Sequence, residues 1–399
     1  MDEPDTPFPY PYDAPTPPPP VPAHRRSGPR LVAAGIAVAI VLAAGAGGFA
    51  IGRFNHGTAG APTQAYGFGN QGENGTAPFG GTPFGGAGGP GGAPFDSAAG
   101  GTPASTDQLT GLVRIFTTLK YQGGKAAGTG MILTSTGEVV TNHHVVEGAT
   151  RIRVTVMDTH QKYAATVVGT DAKDDVAVLQ LTDAGGLQTV QTDTGDVSVG
   201  DAVTAVGDAG GSASSFNAAD GKVLATDQHI TTHSPDSTET ERLTGLIEIS
   251  SDVISGDSGG ATYDAQGAVV GMTTAASSGA RDVVGYAIPI GTVLTIADDL
   301  EQGIVNARYD YGTPAFLGVG LSGTNTSVGD TFPGTPAARA GVTAGDTITA
   351  LNGTPVHTAK ALRRAVTTYS PGDRVTLTWT DPSGTSHTAA VTLTNGPVA

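Results

Sequence analysis

The chain has 399 residues, of which 60 are Gly and 26 are Pro, and a formal net charge of −16. So much Gly and Pro means that a sizeable part cannot build a packed core, and about two folded domains are expected. The acidic balance, with no long basic run, leaves no electrostatic footprint for nucleic acid, and the absence of cysteine excludes disulfides, a thiolate nucleophile and Cys-ligated metal centres.

Residues 1–30 are Pro-rich with acids at Asp2, Glu3, Asp5 and Asp13, a composition with little apolar surface to bury that reads as a disordered tail. Leu31 to Ile51 is an uncharged run, LVAAGIAVAIVLAAGAGGFAI. At about 1.5 Å per residue it matches the roughly 30 Å hydrocarbon core of a bilayer and predicts one transmembrane helix. The stretch before it is too long for the n-region of a cleaved secretory signal. Arg25, Arg26 and Arg30 precede the span and only Arg53 closely follows it, so the N-terminus is expected in the cytoplasm and the rest outside.

Residues 52–106 read as a linker. Gly, Ala, Pro and Thr dominate, with Phe in the repeats APFGGTPFGG and APF, and as a flexible coil the stretch would span about 40 Å. Residues 107–310 change texture: GMILT, EVVTN, RIRVTV, ATVVG, VAVLQL, AVTAVG, AVVGMTTA and GYAIPI are short β-branched runs separated by turn residues. They predict an all-β barrel or sandwich, closed by one helix at Val293 to Gln302. Residues 313–395 form a separate small α+β unit after a break near Tyr309 to Pro314.

The sharpest chemical signal is Gly256-Asp257-Ser258-Gly259-Gly260. A nucleophilic hydroxyl needs an exposed place on a tight turn beside backbone N–H groups aimed at the developing oxyanion, here those of Gly256 and Ser258. By itself GDSGG could be an ordinary turn in a Gly-rich protein. Upstream, however, His144 lies in TNHHVV and Asp175 opens VAVLQL, supplying an imidazole to take the serine proton and a carboxylate to orient it. The order His, Asp, Ser is that of chymotrypsin and differs from those of subtilisin and the α/β-hydrolases. Asp171 and Asp174 are rival carboxylates. Adjacent His143 and His144 could suggest a metal, but strand neighbours point to opposite faces and no HExxH helix exists; no metal and no cofactor are expected.

GTGMIL, VVTNHHVVEGA, DDVAVLQL, GDSGG and GYAIPI, in this order over about 109–300, resemble the HtrA (DegP-like) family of trypsin-like serine proteases in a bacterial, membrane-anchored form of actinobacterial type. The resemblance implies a chymotrypsin-like double β-barrel with His144, Asp175 and Ser258 as the triad. His143 falls where the family commonly has Asn, and Asp257 stands where its members usually read Asn. In the trypsin branch an aspartate there pairs with a new N-terminus; here local hydrogen bonds are expected instead. Asp252, six residues before Ser258, is a candidate for the base of the S1 pocket, with a structural carboxylate as the alternative.

In the C-terminal unit, Phe316-Leu317-Gly318-Val319 resembles the carboxylate-binding loop of PDZ domains. GTPAARAGV, GDTI, LNG and SPGD match the rest of that pattern, and Leu362 and Val366 on a helix from Thr358 to Thr368 would wall the groove. The implied function is an ATP-independent extracytoplasmic endopeptidase acting on unfolded or damaged proteins, its partners being unfolded segments or peptide C-termini and the membrane, with a homo-oligomer compatible. The alternative is a peptide-binding or chaperone-like protein whose protease fold is latent.

Overall fold

In the computed structural model of the chain, the described residues are 50–52, 101–209, 216–233, 240–254, 256–276 and 284–399. The expected tail, nearly all of the expected membrane span and most of the linker lie outside them. Ala50 and Ile51, the end of that span, are strand with Gly52 and pair antiparallel with the strand ending at His233. No helix among the described residues is long and apolar enough to cross a membrane.

Six strands close the first barrel: β1 (Leu112–Leu119), β2 (Gly124–Ile132), β3 (Glu138–Thr141), β4 (Arg151–Val156), β5 (Lys162–Asp171) and β6 (Val176–Leu181). They run β5-β4-β1-β2-β3-β6, and β6 pairs back onto β5. Runs such as VAVLQL are apolar at nearly every position because alternate residues serve two cores. Ala177, Leu179 and Leu181 fill the barrel, whereas Val176 and Val178 face the second barrel and a helix. Polar residues alternate only where one side is wet, as in β4, where Arg151 and Arg153 are exposed between buried Ile152 and Val154.

The second barrel is closed in the same way by β7 (Ala202–Gly207), β8 (Asn217–His233), β9 (Thr240–Ile249), β10 (Ala261–Asp264), β11 (Val269–Ala276) and β12 (Gly285–Pro289), in the order β8-β9-β12-β11-β10-β7 with β7 paired back onto β8. The expected helix is longer at its start, Ile290–Glu301, and buries Ile290, Val293, Ile296, Ala297 and Leu300. That spacing is one helical face, and it lies on the core shared by the barrels.

Two expectations are corrected. The residues from His143 to Val146 are a one-turn helix, α1, not strand, so the alternation argument does not separate the two imidazoles; successive helical residues instead diverge by about 100°. The break expected near Tyr309 to Pro314 opens with a strand: Tyr309–Tyr311 is β13, which joins the first barrel beside β5, and only Gly312 to Pro314 lie outside any strand.

The C-terminal unit packs its own core around Trp379, Leu377 and Ile348. A four-stranded sheet and two short strand pairs enclose a helix, Ala359–Val366, which Thr358 caps by accepting from the Ala361 N–H.

Candidate active site

Helix α1 and the start of β6 bring the first two candidates together. The His144 ring Nδ1 lies 2.9 and 3.1 Å from the two Asp175 carboxylate oxygens, and the His144 backbone N–H donates to Asp175 Oδ1 at 3.0 Å. Asn142 ties the two segments again, its amide donating to the Asp175 carbonyl at 3.0 Å. Asp175 takes φ +56°, a left-handed conformation that Asp tolerates and that marks a tightly determined site. Burial alone would raise its carboxyl, but the His144 charge and the hydrogen bonds from His144 and Thr274 hold it below the ordinary value. The rival carboxylates are engaged elsewhere: Asp171 and Asp174 both pair with Arg308.

The second barrel carries the serine. Ser258 is half-buried and its hydroxyl donates to the Thr274 carbonyl at 3.3 Å, while the Thr274 hydroxyl donates to Asp175 Oδ2 at 2.6 Å. Thr274 therefore joins the nucleophile candidate to the acid candidate across the interface between the barrels. Thr129 clasps the turn from the other side. Its N–H donates to the Ser258 carbonyl at 2.8 Å and its hydroxyl to the Gly256 carbonyl at 2.9 Å. Neither threonine stood out in the sequence; the only trace is the position of Thr129 inside GTGMIL.

The glycines of the turn are needed for contact as well as conformation. At Gly259 φ is +82° and a Cβ would stand 2.1 Å from the Thr129 carbonyl oxygen, so no other residue fits. The expected oxyanion donor at Gly256 belongs to the peptide it shares with Ser255, which lies outside the described residues.

Asp257 is 6% exposed and accepts from the Ile254 N–H at 2.9 Å, the local bond expected of it. Burial pushes its carboxyl up to about 7, with that bond opposing and the charges of Asp208 and Asp252 adding to the rise. Asp208, fully buried, pairs with Arg114 at 2.7 Å. Asp252 is exposed in the turn after β9.

In the C-terminal unit Gly318 has φ +84°, and a Cβ there would stand 2.1 Å from the Thr335 Cβ. Phe316, Leu317, Gly318 and Val319 line a cleft with Leu362 and Val366 on the opposite wall. The Phe316 ring also packs against Tyr121, from the β1–β2 turn of the first barrel, with centroids 4.8 Å apart. Among the described residues no group of His, Asp or Glu is arranged to hold a metal ion.

Comparison with known proteins agrees with this organisation. Residues 128–272 match the trypsin-like peptidase domain family and residues 332–380 the PDZ domain family. The chain is 33% identical over 271 residues to a probable periplasmic serine endoprotease, DegP-like, of Bartonella henselae, a match covering 63% of this chain and 50% of the relative. It is 30% identical to the periplasmic pH-dependent serine endoprotease DegQ of Escherichia coli over 63% of this chain and 55% of that one. The figures for DegP of the same organism are 30%, 63% and 54%. The match thus spans about half the length of these curated relatives. The resemblance to DegP-like serine proteases with a PDZ domain is borne out.

Proposed function

We propose that the chain is a serine endopeptidase of the HtrA type, tethered to the membrane by the apolar run that begins at Leu31 and ends before the strand at Ala50, with its peptidase and PDZ domains outside the cytoplasm, and that it hydrolyses peptide bonds of unfolded or damaged proteins. The observation that carries the reading is the assembly of His144, Asp175, Thr274 and Ser258 across the two barrels. Asp175 fixes the His144 proton on Nδ1 and leaves Nε2 as the base. The Ser258 proton, given to the Thr274 carbonyl at rest, then passes to Nε2 as the oxygen attacks the scissile carbonyl. The N–H groups of Gly256 and Ser258 receive the negative charge that develops there. The protonated imidazole, stabilised by Asp175, returns the proton to the leaving amine, and a water repeats the sequence on the acyl-enzyme.

The PDZ unit supplies binding away from the reacting bond. In this reading, backbone N–H groups of the Leu317-Gly318 turn donate to a peptide carboxylate, and the cleft lined by that loop and Leu362 takes the apolar side chain before it. A fluorophosphonate probe tests the central claim. The wild-type chain is expected to be labelled on one serine and to cleave casein, and Ser258→Ala to lose both, with turnover down by on the order of a millionfold. Labelling that survives Ser258→Ala would assign the nucleophile elsewhere, and an unlabelled wild type would refute the enzymatic reading.

A further inference from the structure

His143 has no part in this mechanism, although it adjoins His144 and replaces the Asn common at its place in the family. It is 4% exposed, and its Nε2–H donates to the Ala399 carbonyl at 2.8 Å. That carbonyl arrives on a seated segment. Val398 is 3% exposed in the core of the first barrel. Its N–H donates to the Ala149 carbonyl and its carbonyl accepts from the Gly148 N–H, both at 2.9 Å, which makes one rung of backbone pairing directly after α1. His143 also lies near β13, where burial raises the Asp310 carboxyl and the neighbouring imidazole opposes that rise.

The same segment belongs to the peptide cleft at its other end. Thr394–Asn395 pairs with Ala315–Phe316, the start of the carboxylate loop, and Pro397 lines the cleft opposite Leu362. Between Pro397 and Ala399 there is only Val398. A ligand seated beside Pro397 therefore presses on the residues that grip α1. The setting of α1 in turn fixes the His144 N–H on Asp175 Oδ1.

We propose that residues 396–399 form a latch, held by His143, through which occupancy of the PDZ cleft is felt at His144; His143 is a positioning residue for the histidine beside it. The inference rests on the peptidase reading and adds to it a route between the two sites. Peptide binding and latch seating are linked equilibria, so whichever seating binds peptide better is the one that peptide enforces.

The test uses the full chain and four variants: His143→Leu, His143→Gln, Val398→Asp and the double variant that combines His143→Leu with Val398→Asp. Three readouts apply: kcat and KM on a short chromogenic peptide, the fluorophosphonate labelling rate with and without a decapeptide ending in a free aliphatic carboxylate, and the low-field proton signal of His144 Nδ1–H. The leucine substitution removes the donor, the glutamine substitution restores one at similar reach, and the aspartate substitution expels the segment from the apolar core.

His143→Leu and Val398→Asp are each expected to lower kcat about tenfold with little change in KM, as a small misplacement of a catalytic group does. Both should weaken the His144 signal and abolish the response to the decapeptide. The double variant should be no slower than the worse single one, and His143→Gln should regain most of the rate. An unchanged kcat and proton signal in Val398→Asp, or losses that multiply in the double variant, would overturn the latch. Should Val398→Asp fail to fold, the contrast between His143→Leu and His143→Gln decides. An unlabelled wild type would instead sink the peptidase reading, and the His144 signal would still report on the latch.

Discussion

Replacing Asp257 by Asn should stabilise the protein most at pH 8, clearly less at pH 5 and hardly at all below about pH 4. The Asp257 carboxyl is displaced from 3.8 to about 7 by burial. Below about pH 4 it is protonated in both the folded and the unfolded chain, and burial carries no penalty. Between about 4 and 7 the folded state keeps a proton that the unfolded chain releases, so stability falls as pH rises through that window. Above it the penalty is complete: about three units at about 1.4 kcal/mol each, or roughly 4 kcal/mol. Asn removes the charge and keeps an oxygen for the Ile254 N–H. For a domain of this size, a shift in melting temperature on the order of 10 °C at pH 8 follows.

The comparison is made by thermal unfolding in a Ser258→Ala background, which prevents self-cleavage. Glu138, pushed up to about 8 first by burial and then by Glu301, titrates in both proteins and cancels in the difference. An equal gain at pH 5 and pH 8, or a loss at pH 8, would show that the buried carboxylate does not carry the penalty assigned to it.

Thr274→Val removes the 2.6 Å hydrogen bond to Asp175 but keeps the carbonyl that receives the Ser258 proton; a loss of about 1.5–3 kcal/mol of transition-state stabilisation is expected, read as a 10- to 100-fold lower kcat/KM. Gly259→Ala forces a side chain into the Thr129 carbonyl and should destabilise the fold by about 3 kcal/mol or more, measured by urea unfolding. Leu362→Asp should weaken binding of a peptide with an apolar C-terminus at least tenfold by calorimetry, while leaving fluorophosphonate labelling in the absence of peptide at the wild-type rate. In intact cells, a tag at residue 399 should be open to added protease and one at residue 1 protected, because the arginines before Leu31 are expected to stay inside; the reverse pattern would overturn the proposed topology.

The barrels were legible because a strand buried on both sides must be apolar throughout, and runs such as VAVLQL announce that. His144, Asp175 and Ser258 were legible because their motifs carry local geometry. What joins them was not. Thr129 and Thr274 act through partners more than 90 residues away, and a threonine in a strand looks alike with or without such a partner. The last residues carry no signal at all: after Asn395 the sequence GPVA has no pattern that announces burial, yet Val398 completes the core of a barrel that begins 286 positions earlier, at Leu112. The break read at Tyr309 to Pro314 likewise took in a strand, Tyr309–Tyr311, because nothing local shows that β5 has a free edge to receive it.

The strand β13 also limits how the two domains can move. It ends at Tyr311, and the first strand of the PDZ unit starts at Ala315, so the outgoing crossing is only Gly312, Thr313 and Pro314, about 10 Å when extended. The returning chain crosses at the same place, where the Gly396 N–H donates to the Pro314 carbonyl at 2.7 Å. Two strands bonded side by side resist twisting and stretching far more than bending across their flat face. The PDZ unit is therefore hung like a door on a narrow double leaf and not held on a cord: it can swing about one axis near Gly312, where φ is +62°, and an opening there would draw the Tyr121 ring away from Phe316 and Phe332 together.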